Sequence, residues 1–219
     1  MCGRYFITLI LSELEETLEV TLPEPLTPRY NAAPTQSLPV ILNARPNEVS
    51  LARWGLNPVW LEKIKKTGVL INVRTETLRE KPTFRSDFLR RRCLIPADGF
   101  YEWKKTPGGG KVPYCISSKN RTPFAFAGIW QTNTTPDGSN VTTFAIITTT
   151  ANSLIAPIHD RMPAMLNPTD KDLWFSSLAQ PGDLLTLLRP APSDDLQAYE
   201  VSRMVNKASV DTPELLEPV

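Results

Sequence analysis

The chain has 219 residues, 24 Lys and Arg against 23 Asp and Glu, and 41% apolar residues. That length can bury a core without metal or disulfide staples, and a net charge of +1 excludes a global attraction to nucleic acid, so any such site is a local basic patch. Cys2, Cys93 and Cys115 are odd in number and match no metal-ligand spacing, and no secretory or membrane-spanning run is visible, so we expect a cytoplasmic protein of a reducing compartment with no cofactor and no metal.

In chain order, LSELEETLEV (11–20) predicts a short amphipathic helix, with Ser12 and Glu15 as a capping box and Leu11, Leu14 and Leu18 on one face. LPEPLTPRYNAAPTQ follows as an ordered proline-rich loop. PVILN and EVSLARWGL predict strands around the turn NARPN, and VLINV (69–73) a short buried strand. RTETLREKPTFRSDFLRRR is polar and helical, broken at Pro82.

RCLIPADGFYEWKK, KVPYCISS, TPFAFAGIWQT and VTTFAIITTT are rich in β-branched and aromatic residues and divided by turn sequences. Helices are expected near 168–178 and 181–189, then a strand in LQAYEVSRMVN that frays. The class is α+β: a β-rich core forming a partly closed barrel with short peripheral helices. No linker divides it, so residues 1–219 are expected to form one domain, and nothing in the pattern suggests an oligomer interface, so a monomer is expected.

The histidine count is one, His159 in APIHDRMP. It sits in a polar loop after a strand, flanked by Asp160 and Arg161, where a proton-passing imidazole is useful. Equally, a lone histidine is often structural. Glu102 in FYEWKK shares a strand face with Phe100, which would desolvate its carboxylate; the alternative is an ordinary solvent-facing glutamate.

Cys2 in MCGRYF poses the sharpest question. Free cysteines are mostly small buried hydrophobes, and Cys93 and Cys115 fit that description. Once Met1 is removed, however, Cys2 carries an α-amine of pKa near 7.7–8.0, of which roughly a tenth or more is unprotonated at neutral pH. Such an amine condenses with an aldehyde to a Schiff base. The thiol on the adjacent Cβ then adds to the imine carbon and closes a thiazolidine ring.

Arg4, Arg29, Arg74, Arg85, Arg90, Arg91, Arg92 and Arg161 fall in or beside loops, and Trp54, Trp60 and Trp103 add flat surfaces. Arginine for phosphate and aromatics for stacking is the composition of a single-strand groove. The RRR of FLRRRC reads as well as a solvated helix end. Asn31 and Asn72 end apolar strands as turn formers or ligand donors.

The ordered set MCGRY, PRYNAAPTQ, RWGL, INVRTET, RRRCLIPADGFYEW, TPFAFAGIW, ITTTAN, IHDRMP and VSRMVN resembles the SRAP family, the SOS-response-associated peptidase-like proteins, over residues 2 to about 217. The resemblance implies a sensor of abasic sites in single-stranded DNA that forms a thiazolidine cross-link through Cys2. It assigns Cys2, Asn72, Glu102 and His159 to catalysis, and Arg4, Pro34, Trp54, Trp60, Arg74, Arg85, Thr148 and Arg161 to DNA contact. INVRTET stands where the family more often has INARAET, and the tail lacks a VNNPRND-like form. The competing readings are a cysteine peptidase using Cys2 and His159, in its narrowest form only removing its own Met1, and a non-catalytic nucleic-acid-binding barrel.

Overall fold

The computed structural model describes residues 2–8, 10–57, 69–120, 124–135 and 138–219. In chain order the elements are β1 (Arg4–Ile7), α1 (Ile10–Thr17), β2 (Arg29–Ala32), β3 (Ser37–Leu42), β4 (Arg45–Trp54), β5 (Asn72–Arg74), α2 (Thr77–Glu80) and α3 (Pro82–Arg90). There follow β6 (Arg92–Ala97), β7 (Gly99–Lys105), β8 (Lys111–Ser118), β9 (Phe124–Thr134), β10 (Asn140–Thr150), β11 (Arg161–Pro163) and β12 (Met165–Leu166). Last come α4 (Lys171–Phe175), α5 (Pro181–Thr186) and β13 (Leu196–Glu200), with single 3-10 turns at Arg203–Asn206 and Pro213–Leu216.

The expected barrel is present as a closed ring. β10 pairs with β4, β4 with β3, β3 with β6, β6 with β9, and β9 returns to β10. All joints are antiparallel except β10 with β4, where Thr143 and Phe144 lie parallel beside Arg53 and Trp54. Closure crowds β6, β9 and β10 at Gly128: a Cβ there would stand 2.5 Å from Ile95 Cδ1 and 2.9 Å from the Ala145 carbonyl. Only glycine lets three backbones approach this closely.

The second sheet runs β13-β8-β7-β1-β2. Its alternation places Tyr5, Ile7, Phe100 and Ile116 against the barrel, where the Tyr5 ring meets Trp54 at 5.3 Å and Phe126 at 5.7 Å. Phe6, Tyr101 and Cys115 point the other way, and Val201, Val205 and Leu215 of the C-terminal segment cover them.

Several local expectations are corrected. The first helix begins at Ile10, so Ser12 lies inside it and is no cap. RCLIPADGFYEWKK is two strands, not one, broken at Asp98, whose carboxylate accepts from the Thr8 backbone N–H and hydroxyl. The helices after Asn167 and Pro181 are shorter than expected, at five and six residues.

The tail does not fray. Asn31 Nδ2 donates to the carbonyls of Val205, Lys207 and Val210 at 2.8–3.2 Å. In return Asp211 accepts from Arg29 Nε, Tyr30 N and Asn31 N at 2.6–2.9 Å. β2 and the last residues thus hold one another, and the Val219 N–H closes on the Glu200 carbonyl.

The RRR run is divided by burial. Arg92 is buried and donates to four carbonyls, of Phe88, Leu89, Trp174 and Ser176, at 2.6–2.9 Å. It caps the end of α3, joins it to α4, and lies over the Trp174 ring. Arg91 folds back onto the buried Asp87 carboxylate, leaving Arg90 exposed.

Candidate active site around Cys2

β1 enters the five-stranded sheet beside β7, with Arg4 opposite Tyr101 and Tyr5 opposite Phe100. Extended by one step, this register sets Gly3 opposite Glu102, close enough for the Glu102 charge to act on the Cys2 thiol. Cys2 is 0% exposed, and its Sγ lies 3.6 Å from the Arg4 carbonyl. Burial pushes the thiol well above the ordinary thiol range, and the Glu102 charge pushes it further. Glu102 is itself buried, with Oε1 accepting from the Trp103 N–H at 3.1 Å.

Asn72 opens β5, which runs parallel to β10 with Asn72 beside Ile146 and Arg74 beside Thr148. Its Nδ2 donates to the Cys2 carbonyl at 2.8 Å. Asn72 Oδ1 is buried and has no hydrogen-bond partner among the described residues. An amide that clamps the backbone of residue 2 while keeping an unsatisfied acceptor is suited to meet a ligand proton.

On the other side of β10, β11 pairs Arg161 with Thr150 and Pro163 with Thr148. This sets the His159 loop at the end of β10, the strand beside which Asn72 of β5 lies. The Arg161 N–H donates to His159 Nδ1 at 3.0 Å, and the Asp160 carboxylate lies 3.0 Å from the same atom. The backbone donor requires a bare Nδ1, which leaves the proton of the neutral ring on Nε2.

The Arg161 side chain is buried, and Glu76 grips its guanidinium in a two-pronged pair at 2.6 and 2.9 Å. A third nitrogen contact runs to the Thr148 carbonyl at 2.6 Å. That pairing holds the Glu76 carboxyl below the usual carboxylate range. A phosphate would reach Arg161 only by exchange with Glu76. The Thr148 side chain is buried, with Oγ1 lacking a partner among the described residues.

The remaining expected contacts are scattered. Arg74 and Arg85 are exposed, Arg85 in a cavity with Arg79 and Pro181 away from Cys2's neighbours. Arg4 is half-buried, and its guanidinium donates to the Gly3 carbonyl at 2.9 Å. Pro34 occupies the second position of a turn closed by Gln36 N–H to the Ala33 carbonyl at 3.3 Å, with Thr35 at φ 73°. Trp60 lies outside the described residues.

Trp54 is a correction: it is 0% exposed, its ring parallels Phe144, and its Nε1 donates to the Ile71 carbonyl at 2.9 Å. It is core, with no face left for a base. Sequence reasoning missed Glu76 and Asp211, although both lie close to residues it singled out. Their exposed-looking, charged contexts carried no sign of a partner 85 or about 180 positions away.

The sequence model of the SOS response associated peptidase (SRAP) family matches residues 1–208. The chain is 40% identical over 222 residues to the abasic site processing protein YoqW of Bacillus subtilis, covering 99% of each. It is 32% identical to the abasic site processing protein HMCES of Gallus gallus, over 88% of this chain and 66% of that one. A crystal structure of a protein from Bacteroides thetaiotaomicron superposes with a TM-score of 0.85 over 100% of both chains, at 26% identity. With nearly the whole chain matched and the barrel shared, the protein belongs to the SRAP family.

Proposed function

We propose that this protein processes abasic sites in single-stranded DNA by capturing the ring-opened sugar on Cys2. Relatives named as abasic site processing proteins across nearly the full length support the substrate. The observation that carries the chemistry is the Asn72 clamp on the Cys2 carbonyl, beside the buried Glu102 carboxylate.

Removal of Met1, by hydrolysis, bares the amine. The amine adds to the C1′ aldehyde to give a carbinolamine. Protonation of its hydroxyl releases water and leaves the imine. The Cys2 thiol adds to the imine carbon, and its proton ends on the ring nitrogen. The net balance is aldehyde plus aminothiol giving thiazolidine plus one water.

Glu102 and His159 carry the protons, while Asn72 holds the terminus in place. Arg74, Arg4 and Arg85 offer charge to flanking phosphates, while Arg161, held by Glu76, stays beside the imidazole. Pro34 meets the kinked strand, and Thr148 lines the floor. Trp60 remains a stacking candidate, but Trp54 does not.

The buried thiol argues against a peptidase. A cysteine nucleophile for acyl transfer needs a lowered thiol pKa, and this environment raises it. A thiol that adds to an already electrophilic imine has no such need. We further propose that residues 1–219 act as one domain and one monomer in the cytoplasm, associating with the nucleoid when bound to DNA.

The test is a single-stranded oligonucleotide with one abasic site, incubated with native protein and resolved after heating. A heat-stable adduct is expected only with Cys2 and a free amine. Adduct formation by Cys2→Ala, or by protein with a blocked N-terminus, overturns the proposal.

A further inference from the structure

We infer that Glu76 is a positioning residue for the reaction, acting through Arg161 to set which nitrogen of His159 carries the proton. The inference rests on the abasic-site reading for its catalytic consequence but on geometry alone for the imidazole.

His159 Nδ1 faces two groups with opposite demands. The Arg161 backbone N–H, 3.0 Å away, needs Nδ1 bare. The Asp160 carboxylate, also at 3.0 Å, would instead accept a proton from Nδ1. Asp160 is 80% exposed and solvated, so a firmly held backbone donor prevails. That donor is held by the pairing of β11 with β10, where Arg161 lies opposite Thr150, and by the anchored Arg161 side chain.

Arg161 stands at the first position of β11, and its guanidinium is fixed by Glu76 on one side and the Thr148 carbonyl on the other. The same Thr148 carbonyl accepts from Thr75 N and Thr75 Oγ1, both at 2.9 Å. One carbonyl therefore ties together the turn after β5, the strand β10 and the start of β11. Glu76 closes this knot from outside, 51% exposed, and is its only carboxylate among the described residues.

Without the Glu76 charge, a buried guanidinium loses its counter-ion and moves toward water. The Arg161 N–H then keeps only its strand anchor, its bond to Nδ1 loosens, and the proton of the neutral ring shifts toward Nδ1, facing Asp160. The other ring nitrogen changes from donor to acceptor, which is the wrong state for delivering a proton to the departing hydroxyl.

A single histidine makes the test direct. Protein labelled with nitrogen-15 in histidine gives one imidazole in a long-range nitrogen–proton correlation spectrum. Native protein is expected to show the Nε2–H form, and Glu76→Gln a mixture enriched at least threefold in Nδ1–H. Glu76→Asp keeps the charge but shortens the reach, so it should fall between and carries the test if Glu76→Gln fails to fold. Identical tautomers in native and variant proteins overturn the inference.

The rate of adduct formation on abasic single strand is then measured in a double-mutant cycle with His159→Ala. Glu76→Gln should slow the native protein about tenfold and leave His159→Ala unchanged, because a residue acting through the imidazole has nothing left to act on. Equal slowing in both backgrounds means a general structural role and overturns the inference. A tautomer shift without any native adduct supports the positioning role and refutes only the proposed function.

Discussion

Asp211→Ala should unlatch the C-terminal segment from the five-stranded sheet that holds β1 and β2. The carboxylate accepts from Arg29 Nε and from two consecutive backbone N–H groups, at 2.6–2.9 Å. Hydrogen bonds to a charged group contribute about 1.5–3 kcal/mol each when well shielded. The Arg29 and Asp211 side chains are about a quarter exposed, so the ionic contact is discounted towards the lower end. The three bonds share one acceptor and are not additive, so about 3 kcal/mol is expected for the set. For a chain of this size that is a fall in Tm of roughly 6–12 °C.

Calorimetry or circular dichroism measures the shift, and hydrogen exchange locates it. Amides in 203–219 and in β2 should lose protection together, since Asn31 grips the same segment by three carbonyls. A Tm within about 1 °C of native, or loss confined to the last residues, would refute the claim that β2 and the tail form one latch.

Other outcomes follow from the same geometry. Arg92→Leu strips four carbonyls of their donor in a closed core and should cost about 3–5 kcal/mol, read by denaturant titration. Gly128→Ala forces a methyl against the Ala145 carbonyl and should cost about 1–3 kcal/mol, whereas Gly108→Ala, with open space around it, should be near neutral. Thr35→Gly relieves a β-branched residue at positive φ and should gain about 1 kcal/mol net of glycine's extra freedom when unfolded; a loss would show the turn unstrained. Alkaline pH should destabilise the fold. Burial raises all three thiols, Cys115 to about 11, so above pH 9 the unfolded chain sheds thiol protons that the folded chain keeps. Stability present below that pH then falls by about 1.4 kcal/mol per unit for each thiol that ionises only on unfolding. A flat Tm between pH 9 and 10.5 would contradict this.

Alternation and turn chemistry made most strands legible, because a half-buried strand must repeat every two residues. Ring closure was harder to see. It depends on β4 and β10 lying parallel, and a pairing of residues some ninety positions apart leaves no local mark. Trp54 looked like a stacking surface for the reason that it is a good core residue: a large ring with one polar atom. Its partner is a backbone carbonyl 17 residues away, invisible to composition. Cys2, Asn72 and Glu102 were recognisable as unusual residues in apolar surroundings. Their meeting depends on two registers, β1 on β7 and β5 on β10, that only folding defines. Glu76 stood inside a quoted motif yet carried no distinguishing chemistry until Arg161 was seen beneath it.

The parallel joint between β10 and β5 has a temporal consequence. The wall that shelters residue 2 includes Asn72, whose strand pairs, among the described residues, with β10 near residues 146–148. At synthesis rates of ~5–20 residues per second, the ribosome needs about 7–30 s to travel from codon 2 to codon 148. Throughout that interval the start of the chain is an open peptide end, available to any trimming enzyme at the exit tunnel. On the proposed mechanism, the burial that later hides the sulfur is thus no obstacle to removal of Met1, which has time to occur before the shelter is built.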